Sequence, residues 1–190
     1  MAATVTLELV DKLPRRCGDC QLCCKLLPVQ EIGKLAGVKC RHQAFSVGCR
    51  VYGGSMPSSC KLWSCAWLTG AFVGGSRPDR SHYVVDILPD FITAVDASGA
   101  KVTVPVVQVW CDPHWPDAHR DVALRAYLEE RGQNGVAALV RYGAAEAIVL
   151  IPPAMGGGSW IETERKPAAE KQHTFAQMAQ ALGRPNPAST

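Results

Sequence analysis

Three stretches in the middle of the chain are rich in apolar residues that favour β-strands, and this pattern predicts strands. The strands are expected at residues 82–88, 91–95 and 101–110, because turn sequences separate them, Pro89-Asp90 and Asp96-Ala97-Ser98-Gly99. Consecutive strands joined by short turns pair side by side in opposite directions. The pattern therefore predicts an antiparallel meander.

Local start and stop signals predict two helices. Asp117 can cap a helix that follows Pro116 and ends at Gly132. In the first half, the preferred arrangement is a turn that carries the first cysteines, followed by a short helix over residues 31–35 that is closed by Gly37. The longer of the two helices is expected to cover one face of the sheet.

The remaining segments complete an α+β fold. A short strand is expected at residues 4–10 and another at 147–151, whereas 136–142 fits either a helix or a strand. A glycine-rich, hinge-like stretch begins at Gly70, and the last residues read as a tail with a short helix near 172–182. We expect a small, loop-rich, metal-organised cysteine-cluster subdomain packed on an antiparallel sheet with one or two helices. The chain is expected to divide into the cysteine-cluster subdomain (residues 15–69), the α+β portion (70–163) and the tail (164–190).

Eight of the nine cysteines are concentrated in the predicted subdomain. Thiolate sulfur is a soft ligand for zinc and iron–sulfur clusters, and a Cys-x-x-Cys pair can place two sulfurs on one ion. Residues 40–60 are rich in glycine and serine and poor in apolar residues, so a bound metal could supply the folding energy that burial does not. The candidate metal ligands are Cys17, Cys20, Cys23, Cys24, Cys40, Cys49, Cys60 and Cys65.

A disulfide framework is the alternative use of these cysteines. The number is odd, adjacent Cys23 and Cys24 are poor partners for one another, and residues 1–16 contain no apolar run of signal-peptide length. We therefore expect reduced thiols in a cytoplasmic protein.

Composition adds limits on partners rather than a specific function. The chain is 47% hydrophobic and 19% charged, as in ordinary soluble domains. The formal net charge of +3 counts the cysteines as neutral, and one divalent ion held by four thiolates would offset most of it. The expected partners are a metal ion and an unknown protein, with no case for nucleic acid or a membrane.

The order of the cysteines resembles a known family. Cys17-x-x-Cys20-x-x-Cys23-Cys24 is followed by Cys40, then by Gly48-Cys49-x-x-Tyr52, and finally by Pro57-x-x-Cys60-x-x-x-x-Cys65. This order resembles the YkgJ-type cysteine-cluster family of zinc- or iron-chelating proteins, over about 50 residues. Met56 stands where members usually carry an arginine. The resemblance implies metal binding; the lysine N-methylase activity of longer members is not carried over.

Zinc and iron both fit the spacing. Eight cysteines, or seven with His42, could fill two tetrahedral zinc sites. Cys17-x-x-Cys20-x-x-Cys23 also matches the first three ligands of a bacterial ferredoxin, with Cys60 or Cys65 as the source of a fourth. The favoured function is chelation of a structural zinc or iron ion, and the alternative is an iron–sulfur or iron-dependent enzyme whose substrate is unknown.

A second group of candidate residues lies between the last meander strand and the following helix. Cys111 and His114 have the spacing of a metal-ligand pair, and Asp112 or Asp117 could orient a histidine as a general base. His119 follows shortly after. The alternative is a turn held by its tryptophans, with Cys111 as a small buried residue.

Overall fold

A computed structural model describes residues 13–95, 98–144 and 146–167. The strand expected at residues 4–10 and the helix expected near 172–182 lie outside the described residues. We call residues 15–69 the cysteine segment; it contains three short helices, one 3₁₀ turn and one two-stranded hairpin. In chain order these are α1 (Leu22–Leu26), the 3₁₀ turn (Gln30–Ile32), β1 (Gln43–Ala44), β2 (Gly48–Cys49), α2 (Ser58–Leu62) and α3 (Ala66–Thr69).

The rest of the described chain forms a seven-stranded sheet with two further helices. In chain order these elements are α4 (Pro78–Ser81), β3 (Tyr83–Val85), β4 (Asp90–Val95), β5 (Lys101–Cys111), α5 (Val122–Gly132), β6 (Ala137–Tyr142), β7 (Glu146–Ile151), β8 (Ile161–Glu162) and β9 (Lys166–Pro167). The α+β class is confirmed. Because β9 pairs with β7, the sheet includes two residues of the segment that was expected to be a tail.

The sheet is mixed, which corrects the expectation of an antiparallel sheet. β3 and β4 both pair antiparallel with β5, as a meander requires, but β5 and β6 are parallel. The reason is the connection between them: α5 carries the chain back along the sheet, so β6 starts at the same end as its neighbour. Residues 136–142, which fitted either a helix or a strand, lie mostly in this central strand, and every residue of β6 is buried.

Two helix predictions also need correction. Asp117 makes no side-chain cap; Asp121 caps α5 instead, because its carboxylate accepts a hydrogen bond from the Leu124 main-chain N–H. The predicted stop at Gly132 is confirmed. The helix expected over residues 31–35 is absent from this described stretch, where only the 3₁₀ turn forms, because Gly33 adopts a left-handed conformation with φ of 63° and ends it.

Different parts of the molecule cover the two faces of the sheet. Leu124 and Leu128 of α5 belong to the same buried cluster as Val109 and Val140, on one face. Side chains alternate along a strand, so Trp110 points to the opposite face. There it belongs to a second buried cluster with Val84 and with Leu22, Leu26 and Leu68 of the cysteine segment.

Polar contacts also join the cysteine segment to the sheet. Lys25 of α1 forms an ion pair with the buried carboxylate of Asp112, with 2.6 Å between Nζ and Oδ2. The Trp63 indole donates a hydrogen bond to Asp86, which lies just after β3, at 2.8 Å. The cysteines are thus held against the sheet by both apolar packing and directed polar contacts.

Candidate metal centre

The eight candidate cysteines come from separate elements that meet around α1. Cys17 and Cys20 flank a tight turn closed by a main-chain hydrogen bond of 3.1 Å, and α1 itself carries Cys23 and Cys24. The main-chain N–H of Cys40 donates to the carbonyl of Cys24 at 2.9 Å, which brings a distant segment to the helix. The other three lie in β2 (Cys49), in α2 (Cys60) and at the start of α3 (Cys65).

Four of the thiols form a first group, which we define as Cys17, Cys20, Cys23 and Cys65. The pKa of Cys17 is raised to about 12, mainly by burial and also by the neighbouring thiols of Cys20, Cys65 and Cys24. Burial also raises the pKa of Cys65 to about 11, with Cys20 as its thiol neighbour. The pKa of Cys23 is raised by a hydrogen bond with Cys24, then by burial, and then by the charges of Cys24, Cys17 and Cys65.

The remaining four form a second group, which we define as Cys24, Cys40, Cys49 and Cys60. Burial raises the pKa of Cys60 to about 12, and its thiol neighbours are the other three members of the group. Burial likewise raises the pKa of Cys49, where the contributing thiols are Cys24 and Cys40. The two groups touch at the adjacent pair in α1, where Cys23 and Cys24 share a hydrogen bond.

A buried lysine lies beside the second group. The Lys34 side chain is buried, and its ammonium group donates to the main-chain carbonyls of Leu27 and Leu35. The hydrogen bond from Cys23 lowers the pKa of Cys24 to about 7 against the effect of burial, and the Lys34 charge assists. Sequence reasoning missed Lys34, because a single lysine between two turns carries no recognisable motif.

Main-chain N–H groups point at three of the sulfur atoms. Burial raises the pKa of Cys20, Cys49 and Cys65, and in each case a hydrogen bond from the main chain two or three residues further along opposes that rise. The donors are Leu22 for Cys20, Val51 for Cys49, and Leu68 together with Trp67 for Cys65. Such bonds stabilise the thiolate form of cysteine, which is the form that ligates metals.

The structure does not arrange the described sulfur atoms as a closed coordination sphere. Across residues 13–95, 98–144 and 146–167, no group of three or more histidine, cysteine, aspartate or glutamate side chains is positioned to hold a metal ion. All nine cysteines are free thiols. The groups defined above therefore rest on the electrostatic influence of some thiols on the pKa of others.

The two tryptophans beside Cys65 have different surroundings. The Trp63 indole bonds to Asp86, whereas Trp67 is partly buried between two apolar clusters and stacks under the Arg15 guanidinium at 5.0 Å. Both therefore have packing roles beside the cysteines. His42, the alternative ligand, is half-buried, and its carbonyl accepts a hydrogen bond from the main-chain N–H of Arg50.

The candidate residues that the sequence suggested between Cys111 and His119 are split between the core and the surface. Cys111 is fully buried in the core, whereas the His114 side chain is 79% exposed. Asp112 does contact His114, with 3.0 Å between Oδ1 and Nδ1, and it also holds Lys25. His119 is buried, and its Nδ1 lies 2.9 Å from the Tyr142 hydroxyl. The prediction that Cys111 is a small buried residue is confirmed.

The chain matches no protein-family model, no characterised protein and no solved structure. The resemblance to YkgJ-type proteins thus stays a prediction that rests on the order of the cysteines. No helix in the described part of the chain is long and apolar enough to cross a membrane.

Proposed function

We propose that this chain is a metal-binding protein that chelates two zinc ions, one in each group of four cysteines, with a structural role for the metal. One observation carries the proposal: Cys65 acts on Cys17 and Cys23, Cys40 acts on Cys49 and Cys60, and Cys24 acts on members of both sets, so the eight thiols fall into two sets that adjoin at α1. Four thiolates are the usual ligand set of a structural zinc site. The donor chemistry therefore fits zinc.

The geometry of α1 supports the division between the groups. Successive residues on a helix point about 100° apart, so Cys23 and Cys24 can serve two different ions. Residues that are adjacent in sequence would be poor ligands for one ion but are well placed at the boundary between two. In this arrangement Cys23 belongs with Cys17, Cys20 and Cys65.

A structural role is supported by what the cysteine segment leaves exposed. Phe45 is 90% exposed and Val47 is 68% exposed, so apolar residues of the hairpin contribute little burial. Binding of a structural zinc contributes about 10–16 kcal/mol at neutral pH in small peptides, which is ample for a segment of this size. Metal binding would draw the sulfur atoms closer and remove their protons.

Elemental analysis of protein purified without oxygen tests the proposal. We expect about two zinc ions per chain. Cys65→Ser and Cys60→Ser are each expected to lose one ion, because they belong to different groups, and the double variant is expected to lose both. Cys111→Ala is the matched control and should keep the full content, since this thiol is buried in the core. A metal-free wild-type protein, or loss of both ions from either single variant, would contradict the two-group proposal.

An iron–sulfur cluster is a second candidate for the first group only. Cys65 acts on both Cys17 and Cys23, so it is the remote cysteine that would complete the ferredoxin-like triplet as fourth ligand. The protein would then be an iron–sulfur or iron-dependent enzyme. Visible absorption that bleaches on reduction and disappears in Cys65→Ser would favour this candidate over zinc.

Free thiols also support the inferred location. The structure joins no pair of its nine cysteines in a disulfide, and unbridged cysteines are typical of reducing compartments, so we infer a cytoplasmic protein. Thiol titration of protein extracted under acid quench should find all nine cysteines reduced or metal-bound, whereas disulfides in the quenched extract would contradict this location.

A further inference from the structure

A small pocket opens beside both groups of cysteines. Its volume is about 280 Å³, and it is lined by Cys17 of the first group and Cys49 of the second. Leu13, Val47 and Leu68 supply apolar wall, and the mouth carries Tyr52, Arg15 and Arg16. A closed structural metal site has no need of such an opening.

The close approach of two glycines shapes the pocket. Gly18 follows Cys17, and Gly48 precedes Cys49. A Cβ added to Gly48 would lie 3.0 Å from the carbonyl oxygen of Gly18, so the hairpin and the first turn touch here without side chains. This approach brings one cysteine from each group to a single opening.

The two arginines at the mouth are not equivalent. Arg15 is half-buried, and its Nη1 donates to the carbonyls of Trp67 and Phe72 at 2.7 and 3.1 Å. It therefore holds the local fold together as well as carrying charge. Arg16 is exposed, so its guanidinium can meet an incoming molecule.

We propose that this pocket admits a small organic anion, a carboxylate or a thiolate, to the sulfur atoms of Cys49 and Cys17. The apolar wall accepts the carbon skeleton of the anion, and the arginines offset the repulsion that thiolates would otherwise exert on it. A pocket of this volume lies at the lower end of the range for ligand sites, which limits the occupant to a few carbon atoms beside its charge. The biological role of the pocket rests on the proposed metal-binding function, because such an anion could exchange metal with the protein. Access itself is measurable without a metal.

Alkylation of the metal-free, reduced protein by two reagents of nearly equal size tests the access. Iodoacetate is an anion and iodoacetamide is neutral, and both react with the thiolate, so the ratio of their rates at one cysteine cancels differences in pKa. Trypsin separates residues 42–50, where Cys49 is the only cysteine, from residues 51–61, where Cys60 is the only one. Each of these cysteines precedes a basic residue, so Cys60, outside the pocket, serves as an internal reference; the Glu31 carboxylate lies near Cys60 but not Cys49, so the comparison of Arg16→Gln with the wild type at each cysteine is the deciding measurement.

We expect the iodoacetate-to-iodoacetamide ratio to be higher at Cys49 than at Cys60. Arg16→Gln should lower the ratio at Cys49 by about two- to fivefold at low salt and leave Cys60 unchanged. Lys101→Gln removes the same charge from the far end of β5 and should change neither. Val47→Trp should narrow the pocket and slow both reagents at Cys49. Equal ratios at the two cysteines in the wild type, or no effect of Arg16→Gln, would overturn the proposal.

A second measurement uses the zinc-loaded protein and separates this proposal from the metal-binding function. Zinc removal by iminodiacetate, an anionic chelator of four carbon atoms, should depend on chelator concentration and slow by a similar factor in Arg16→Gln. Removal by neutral 1,10-phenanthroline should not change. Protein that takes up no zinc but keeps the alkylation pattern would refute the metal function and leave the pocket proposal intact. Zinc release that does not depend on iminodiacetate concentration would refute access of the anion to the metal.

Discussion

Asp86 is expected to fasten the cysteine segment to the sheet, and Asp86→Asn should weaken the whole fold. Its side chain is buried, and its carboxylate accepts hydrogen bonds from at least three donors. Oδ1 accepts from the Trp63 indole at 2.8 Å and from the Leu88 main-chain N–H at 2.9 Å, and Oδ2 accepts from the Trp110 indole at 3.4 Å. One of these indoles belongs to the cysteine segment and the other to β5.

The magnitude follows from the loss of one acceptor and of the negative charge. An asparagine has a single carbonyl oxygen, so its NH₂ group must face one of the donors and leave that donor without an acceptor. An unsatisfied buried donor costs about 1–3 kcal/mol, and loss of charge assistance at the remaining bonds costs about 1 kcal/mol more. We expect a total of about 2–4 kcal/mol.

Urea denaturation followed by tryptophan fluorescence measures the effect, because both indoles that bond to Asp86 report on the same transition. The matched control is Asp117→Asn, which makes the same chemical change at a carboxylate that is 76% exposed. The control should stay within about 0.5 kcal/mol of the wild type. A similarly small effect for Asp86→Asn would refute the view that this carboxylate links the segment to the sheet.

Two further predictions concern the thiols and the packing of the loop before α4. The pKa of Cys17 is raised to about 12 in the folded chain, mainly by burial. The folded state therefore keeps a proton that the unfolded state loses near pH 9. The free energy of unfolding should fall as the pH rises from about 9 toward 12. Urea denaturation of the metal-free protein measures how much the free energy of unfolding drops between neutral pH and pH 10. This drop should be about 1 kcal/mol smaller in Cys17→Ser than in the wild type, and equal drops would contradict the argument. Gly75→Ala should destabilise by about 1–3 kcal/mol, because the added Cβ would lie 2.1 Å from a ring carbon of buried Phe72. Gly54→Ala, with its nearest contact at 3.9 Å, should be nearly neutral in thermal unfolding, and similar melting temperatures for the two variants would count against the packing argument.

Local patterns were sufficient for β4, β5 and β7 and for the end of α5, whereas the strand predicted over residues 82–88 is shortened to Tyr83–Val85. The alternation over residues 101–110 reflects a strand with different surroundings on its two faces, and Gly132 marks the end of the last helix as a stop signal should. The parallel pairing of β5 and β6 was missed, because it depends on where α5 returns the chain. No short window of sequence contains that information.

The grouping of the cysteines also depends on contacts between residues that are distant in the sequence. Their spacing suggested two tetrahedral sites, but it could not tell which distant cysteines join which group, because Cys60 and Cys65 are only five positions apart. In the structure Cys65 acts on Cys17 and is itself influenced by Cys20, whereas Cys60 is influenced by Cys24. The hydrogen bonds of Asp86 and the burial of Lys34 also depend on tertiary contacts and leave no local pattern.

The packing of the cysteine segment on Trp110 and Val84 has a consequence for synthesis of the protein. The cysteines leave the ribosome first, but the strand that covers them follows about 45 residues after Cys65. At a translation rate of about 5–20 residues per second, the thiols remain uncovered for several seconds. During this interval they are nucleophiles on an unfinished chain, open to oxidants and to any soft metal in the cell. Under the proposed function, the choice of metal would therefore be made during translation, before the folded protein exists to select it.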